Sequence, residues 1–325
     1  MAILKKTIPL LILPLLLTGC YENFDPKIDT TPVLCLNSLI TAGHPIEVKV
    51  SRTWVYTDQA GEKDHSVDDA VVILYANGAI VDSGYIPEEG DHIRISASSV
   101  RYGEAEAEVT VPVATRISGV ESSGKVESLR IQDTPGWGIN ADLQFGINIS
   151  MEIADPKEED NFHILSHDTF DQSWPSSFSS GYFETLDPVF YEQASPFEDV
   201  MNGGGYELFF SDRLLNRATN ALDFGFTPCF FHLNGWKGEL SEFECGWDMT
   251  LYSISESYYN WLTFSWQSDG IVFGDFGDWG LSEPIWGYSN VSTGAGVVAA
   301  QSSVTVRINI KDFLMKALDI TPSEP

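Results

Sequence analysis

Residues 143–153 read LQFGINISMEI, and apolar residues occupy every second position of this stretch. Successive side chains of an extended strand point to opposite faces, so alternate residues share a face. Leu143, Phe145, Ile147, Ile149 and Met151 would therefore line one side. The stretch predicts a β-strand that buries one face against a core.

Similar strand patterns recur upstream, separated by turn signals. Ile46 to Ser51 alternates strictly, and Ala70 to Tyr75 (AVVILY) is a continuous apolar run, as in a strand covered on both sides. Asn77-Gly78 follows, a pair typical of a tight hairpin turn because both residues tolerate positive φ. Short strands spaced by such turns predict an immunoglobulin-like β-sandwich at residues 33–113.

The amino-acid composition changes after residue 113, where Gly, Ser and aromatic residues become frequent. Residues 114–315 predict a larger antiparallel β domain with long loops. The one helix expected there is short and opens at Ser255-Glu256-Ser257, since apolar residues follow at helical spacing. Residues 316–325 are interpreted as a tail. The whole chain is thus predicted to be all-β.

The first twenty residues, MAILKKTIPLLILPLLLTGC, predict export and lipidation. Lys5 and Lys6 precede an apolar stretch that is too short to span a bilayer, which is typical of a signal peptide at residues 1–19. The last four residues resemble a bacterial lipobox, in which the cysteine, here Cys20, receives diacylglycerol. Residues 20–32 are then a lipidated tether, held in outer-membrane lipid through Cys20.

The charge balance excludes one class of partner. The chain carries 47 acidic residues against 18 Lys and Arg, a net charge of −29. Nucleic-acid binding needs a basic surface that faces the phosphates, so no nucleic-acid partner is expected. The aromatic share of 12% excludes a disordered acidic chain, because such chains lack the side chains that build a core.

The order of several segments resembles a lipoprotein family of the Bacteroidota, called domain of unknown function 4249. The resemblance covers most of residues 17–303. It is carried by these segments: the lipobox, the Val33–Ile40 and Ile46–Trp54 strands, the Asp68–Ile73 strand, the Ile149–Phe162 hairpin, the Phe210-Ser211-Asp212 turn, the Ser255–Tyr259 helix, residues 282–291 and Gly294-Ala295-Gly296. It implies a surface lipoprotein encoded beside a TonB-dependent outer-membrane transporter, and it implies no catalytic residues. The acidic residues that follow Cys20 (Glu22 to Asp25) resemble surface-export signals of such lipoproteins, so the protein is expected to face the cell exterior.

Two of the four cysteines are candidates for a disulfide. Cys229 and Cys245 lie symmetrically about residue 237, so a hairpin with its loop near Gly235–Gly238 would place them opposite each other. An exported protein meets oxidising conditions that allow such a bond. A two-residue turn at Asn234-Gly235 would instead pair Cys229 with Leu240.

The densest aromatic and acidic stretch is the segment at residues 270–288, GIVFGDFGDWGLSEPIWGY. Its candidate ligand-binding residues are Phe273, Asp275, Phe276, Asp278, Trp279 and Trp286. Aromatic faces stack on sugar rings or peptide side chains, and carboxylates accept their hydrogen bonds. The alternative is a loop that covers the open end of a sheet with its own aromatic side chains.

Motifs for catalysis and cofactors are absent from the sequence. There is no Gly-x-Ser-x-Gly, no P-loop and no His-Glu-x-x-His, so no catalytic residue, metal or cofactor is expected. The sequence therefore favours a non-enzymatic lipoprotein that captures a glycan or peptide ligand for a TonB-dependent transporter, or assists that transporter. The alternatives are a structural or adhesive surface protein and a surface glycan or peptide hydrolase.

Overall fold

The computed structural model describes residues 31–53, 65–154, 161–171, 176–185, 187–191, 207–215, 221–236, 244–272 and 287–318. Fifteen strands and two α-helices form within these ranges. In chain order they are β1 (Leu34–Thr41), β2 (Lys49–Arg52), β3 (Val71–Ala76), β4 (Ala79–Val81), β5 (His92–Ser99), β6 (Gly103–Thr110), β7 (Ile117–Thr134), β8 (Gly138–Ile153), β9 (Phe162–Asp171), β10 (Ser176–Ser179), β11 (Tyr182–Thr185), β12 (Glu207–Ser211), β13 (Ala221–Trp236), β14 (Cys245–Ile254), α1 (Glu256–Val272), β15 (Val298–Asn309) and α2 (Lys311–Ala317). Two short 3-10 helices occupy Pro188–Tyr191 and Asp212–Leu214. Among the described residues, no helix has the length and apolar character that crossing a membrane requires.

The strands form three sheets, which confirms the all-β prediction. The smallest sheet has the order β4-β3-β5-β6 and is antiparallel throughout. Asn77 and Gly78 connect β3 to β4 with φ values of 50° and 82°. These are the positive angles that a tight hairpin turn needs, so the turn predicted at this pair is confirmed.

The largest sheet has the order β12-β9-β14-β15-β1-β2. Its strands are antiparallel neighbours except for β1 and β15, which run parallel with Ser38 opposite Val298. The sequence pattern does not predict this parallel pair. It joins the first described strand to the last described strand, so one sheet passes through both predicted domains.

The third sheet has the order β10-β13-β8-β7, with β11 also pairing with β13. Its strands β7 and β8 form a long hairpin, and β7 is one edge of the sheet. A bulge interrupts their pairing between Val126 and Ser128, where no residue of β8 is paired with Glu127 in the strand register. Such an extra residue bends the strand locally and increases its twist.

Two hydrophobic cores lie between these layers. The first lies between the four-stranded sheet and the β1 end of the largest sheet, with Leu34, Leu36, Ile93 and Ile95 fully buried. The second lies between the largest and the third sheets. Five residues of β8 predicted to face a core are all buried in the second one: Leu143, Phe145, Ile147, Ile149 and Met151. The structure is therefore a β-sandwich built from packed sheets.

Two helices complete the described part of the chain. Helix α1 begins after Ser255, as predicted. Helix α2 was not predicted, and it crosses the boundary at which the tail was expected to begin. Leu314 and Leu318 are both buried in the second core, because residues four apart lie on one face of a helix. The interpretation of residues 316–318 as tail is therefore wrong, and residues 319–325 lie outside the described residues.

The disulfide predicted between Cys229 and Cys245 is not formed, and both thiols are free. The prediction assumed that the two cysteines lie on one hairpin. Cys229 instead lies on β13, opposite Phe145 of β8, whereas Cys245 lies on β14, opposite Asp171 of β9. Because β13 and β14 belong to different sheets, the cross-strand geometry behind the prediction is wrong.

Candidate functional site

An open groove lies on the outer face of the largest sheet, beside α1, and has a cavity volume of about 430 Å³. We call it the β1–α1 groove. It is lined by Asn37, Ser38, Leu39, Glu47, Lys49, Tyr258, Trp261, Val297 and Ala299. The side chains of Leu39 and Trp261 are 42% and 38% exposed, so the groove opens to solvent. Its volume lies within the range of about 300–1,000 Å³ that small ligands occupy.

The floor of the groove comes from β1 and the segment that leads into β15. The backbone N–H of Val297 donates to Oδ1 of Asn37 at 3.0 Å. The amide nitrogen of Asn37 donates to Sγ of Cys35 at 3.3 Å. The Asn37 side chain is therefore fixed on both sides. The floor is preformed, which lowers the entropy that a ligand loses on binding.

Helix α1 forms the aromatic wall, and two serines fix the start of the helix to β15. The hydroxyl of Ser255 accepts the N–H of Ala300 at 3.0 Å, and the hydroxyl of Ser257 donates to the carbonyl of Val298 at 3.0 Å. Oγ of Ser255 also accepts the N–H of Tyr258 at 3.4 Å, as an N-cap residue does. These contacts set the position of the helix relative to the groove floor.

Two rings of α1 face the groove side by side. The centroids of Tyr258 and Trp261 are 6.0 Å apart and the planes are inclined by 29°. The residues are three apart, which places their side chains on neighbouring positions of one helix face. Together they present adjoining aromatic surfaces to the space above β1.

Charged groups lie on the opposite rim, at the start of β2. Glu47 and Lys49 are both exposed. The Ser38 hydroxyl donates to the carbonyl of Glu47 at 2.8 Å and so ties this rim to β1. Among the described residues Lys49 forms no ion pair.

The groove thus combines apolar aromatic faces with one carboxylate and one ammonium group. This arrangement suits a ligand that has both an apolar face and hydroxyl or amide groups. Glycosidases use a pair of carboxylic acids across the scissile bond. Glu47 is the one carboxylate among the lining residues that the structure describes.

A family model described as "Domain of unknown function (DUF4249)" matches residues 21–307. The chain belongs to the DUF4249 family. No curated protein and no solved structure matches it. The family resemblance expected from the sequence is therefore confirmed.

The candidate ligand-binding residues predicted for this DUF4249 protein lie outside the described residues, and so does Cys20. The candidate residues begin at Phe273, directly after the last residue of α1, and the described chain resumes at Gly287. Tyr288 then packs back on α1: burial raises the pKa of its hydroxyl, which also hydrogen-bonds to the Asn260 side chain. Asn260 is the neighbour of Trp261, so the end of the predicted segment leads back to the helix that lines the groove.

The sequence pattern does not predict the β1–α1 groove. The pattern that predicts a helix opening at Ser255-Glu256-Ser257 does not single out Trp261. In the structure Tyr259 is buried, whereas Trp261 is the ring that solvent reaches. The spacing of a tyrosine and a tryptophan three residues apart in a helix is the sequence feature that indicates two neighbouring rings on one helix face.

A second cavity of this DUF4249 protein lies on the outer face of the third sheet, with a volume of about 440 Å³. Its lining includes the carboxylates of Glu121, Glu184 and Asp223. No group of three or more ligating side chains that could hold a metal ion occurs among the described residues. The carboxylates alone assign no site here.

Two histidines of β9 point into the sandwich. His163 is 1% exposed and packs against Phe210, with ring centroids 5.2 Å apart. Burial lowers its pKa to about 4, although the nearby Asp212 carboxylate acts in the opposite direction. Burial also lowers the pKa of His167, whose ring packs against Phe183 and Phe226. His163 is a core residue, His167 is partly buried, and neither lines the groove.

Proposed function

We propose that this DUF4249 protein is a non-enzymatic lipoprotein of the outer membrane that faces the cell exterior. Its role is to capture a ligand in the β1–α1 groove and to deliver it to a TonB-dependent transporter. The observation that carries the proposal is the paired rings of Tyr258 and Trp261 above a preformed polar floor, open to solvent. The lipobox at Cys20 and the family membership support the location and the partner.

The ligand that fits best is a short glycan. Sugar rings present flat C–H faces, which pack on aromatic rings, and hydroxyl groups, which Glu47 and Lys49 can bind. The two rim charges are of opposite sign, so the groove has no strong preference for an ionic ligand. A peptide could also use the rings and both charges, so it is the competing class in the test.

Binding is tested by screening the full chain, purified in detergent, against glycan and peptide panels. A glycan hit should bind the Trp261→Ala variant about tenfold more weakly or worse, because an aromatic contact is lost. Trp137→Ala is the matched control: Trp137 is a 75% exposed tryptophan at the turn between β7 and β8. The glycan proposal fails if only peptides bind, or if Trp261→Ala and Trp137→Ala bind the glycan equally well.

The anchor and the partner need separate measurements. Cys20→Ala should abolish incorporation of labelled fatty acid and release the protein from the membrane fraction. Affinity purification from solubilised outer membranes should recover a TonB-dependent transporter. Repeated purifications without one would leave ligand capture standing and remove the transporter from the proposal.

A further inference from the structure

The edge strand β7 is unusually long and accessible. It has 18 residues, nearly all exposed, and within the described residues its only partner strand is β8. The outer N–H and C=O groups of an edge strand remain available for pairing with another chain. Proteins commonly protect such edges by shortening or covering them.

The other sheet edges among the described residues have such protection. The edge at β2 is covered by residues 65–66, through the Arg52 N–H···O=C His65 bond and the Ser51–Ser66 bridge. The edge at β6 is covered by a bridge between Glu106 and Ser292. The strands β4, β10, β11 and β12 are each five residues or shorter. β7 therefore differs from every other described edge.

The inner face of β7 is only partly covered. Val126, Leu129 and Ile131 lie opposite the buried residues Phe145, Leu143 and Ala141 of β8, so their side chains point to the core side of the sheet. They nevertheless remain 39%, 41% and 44% exposed. An apolar row at an open edge can bury more surface when another strand is added.

The outer face carries a charge pattern that is complementary to itself. The bulged Glu127 has no place in the strand register, so it is left out when positions along β7 are counted. In this count Glu121 lies four positions before Lys125, and Arg130 lies four positions after it, which makes Lys125 the centre. If a second β7 pairs antiparallel about this centre, Glu121 of each strand faces Arg130 of the other. The same register places Val120 opposite Ile131 and Ser122 opposite Leu129, on the inner face.

We propose that β7 pairs antiparallel with β7 of a second copy of this chain, which joins the two third sheets into one continuous sheet. The contact is two-fold symmetric and closed, as in most homodimers. Each of its two Glu121–Arg130 pairs is a cross-strand pair of opposite charge. At the centre of the pairing, the Lys125 side chains of the two copies lie beside each other. On each strand the Glu127 carboxylate supplies a negative charge near Lys125. This carboxylate accepts a hydrogen bond from the Gln144 amide at 2.7 Å.

Phe313 of α2 adds to the same interface. It packs directly over Gly124, at the middle of the inner face of β7. In the proposed register Gly124 lies opposite Val126 of the second copy. The partner's Val126 would therefore reach the half-buried ring of Phe313 and extend the second core across the interface.

The proposal is tested by measuring the dimer dissociation constant of the full chain in detergent by analytical ultracentrifugation. Glu121→Arg and Arg130→Glu should each weaken the dimer by about tenfold or more, since each places like charges opposite each other at two symmetric positions. The double variant Glu121→Arg/Arg130→Glu should restore most of the affinity, because the pairs are re-formed with reversed orientation.

Glu104→Arg is the matched control, since it makes the same charge change at an exposed position of β6 and should leave the dissociation constant unchanged. Circular dichroism checks that each variant is folded. A chain that stays monomeric throughout the micromolar range overturns the proposal. So does a dimer that neither single variant weakens, or one that the double variant fails to restore. A partner strand from another protein would not give restoration by the double variant.

Discussion

The indole ring of Trp247 lies almost parallel to the phenyl ring of Phe226, with centroids 4.5 Å apart and planes inclined by 10°. Trp247 lies on β14 of the largest sheet, and Phe226 lies on β13 of the third sheet. Their contact therefore joins the two layers of the second core. The indole N–H donates to Oγ of Ser180 at 2.9 Å, so the polar group of this buried ring is also satisfied.

Trp247→Ala is expected to lower the free energy of unfolding by about 3–5 kcal/mol, because it removes a large buried side chain and leaves a cavity. The measurement is urea unfolding followed by circular dichroism. Trp137→Ala removes the same side chain from an exposed turn and should change the free energy of unfolding by less than about 0.5 kcal/mol. Equal losses in the two variants would contradict the role of Trp247 as the contact between layers.

A second contact that can be tested is the one between Gly124 and Phe313. A Cβ atom at residue 124 would overlap the Phe313 ring, so no larger residue fits unless that ring or α2 moves. Gly124→Ala should lower the free energy of unfolding by about 1–3 kcal/mol through this overpacking. In a Phe313→Ala background the same change should be smaller, which a double-mutant cycle measures.

Gly119→Ala is the control on the same strand. Its added Cβ would meet only the flexible Glu152 side chain, at 3.4 Å. This variant should change the free energy of unfolding by less than about 0.5 kcal/mol. If both alanine variants have the same effect, strand propensity and not the Phe313 contact explains the loss at residue 124.

Local patterns predicted the local structure well. Alternation identified the buried face of β8, and Asn77-Gly78 identified a hairpin turn, because side-chain period and backbone angle are properties of a few adjacent residues. They could not predict that β1 pairs with β15. That pairing joins residues about 260 positions apart, and nothing in either strand specifies its partner.

The candidate site shows the same limit. Asn37, Lys49, Trp261 and Val297 come together only because β1 pairs with β2 and β15 and because α1 is bonded to β15. The disulfide prediction was wrong for a related reason. Symmetric spacing about a loop predicts a hairpin only if the two strands pair with each other, and here they pair with different neighbours.

The free cysteines give a third prediction. The thiolate is the reactive form of cysteine, and burial raises the pKa of Cys229 to about 11 and that of Cys245 to about 12. In the folded protein at mildly alkaline pH, iodoacetamide should therefore modify the half-buried Cys35 well before these two. Mass spectrometry of digested samples measures the extent at each site.

Unfolding in urea is the control, since it should make all three thiols react at similar rates. Digestion under non-reducing conditions should find Cys229 and Cys245 as separate thiol peptides. A peptide pair linked through these cysteines would contradict the free thiols described above.

The buried His163 predicts how stability depends on pH. Its pKa in the folded protein is about 4, below the value of 6.5 of an ordinary histidine, because burial disfavours the charged ring. Between these values the unfolded chain binds a proton that the folded chain does not. The free energy of unfolding should therefore fall as the pH drops from about 6.5 to about 4, by about 3 kcal/mol at the lower end.

His163→Leu isolates this contribution, because leucine fills a similar space and does not titrate. The difference in free energy of unfolding between His163→Leu and the unsubstituted chain should shift by about 3 kcal/mol in favour of the variant from pH 7 to pH 4. The two proteins contain the same carboxylates, so the titration of these groups contributes equally to both free energies of unfolding and cancels in the difference. His44→Gln, at an exposed position, should show no such shift. If His163→Leu and the unsubstituted chain lose stability in parallel, His163 is not the group that makes the fold sensitive to acid.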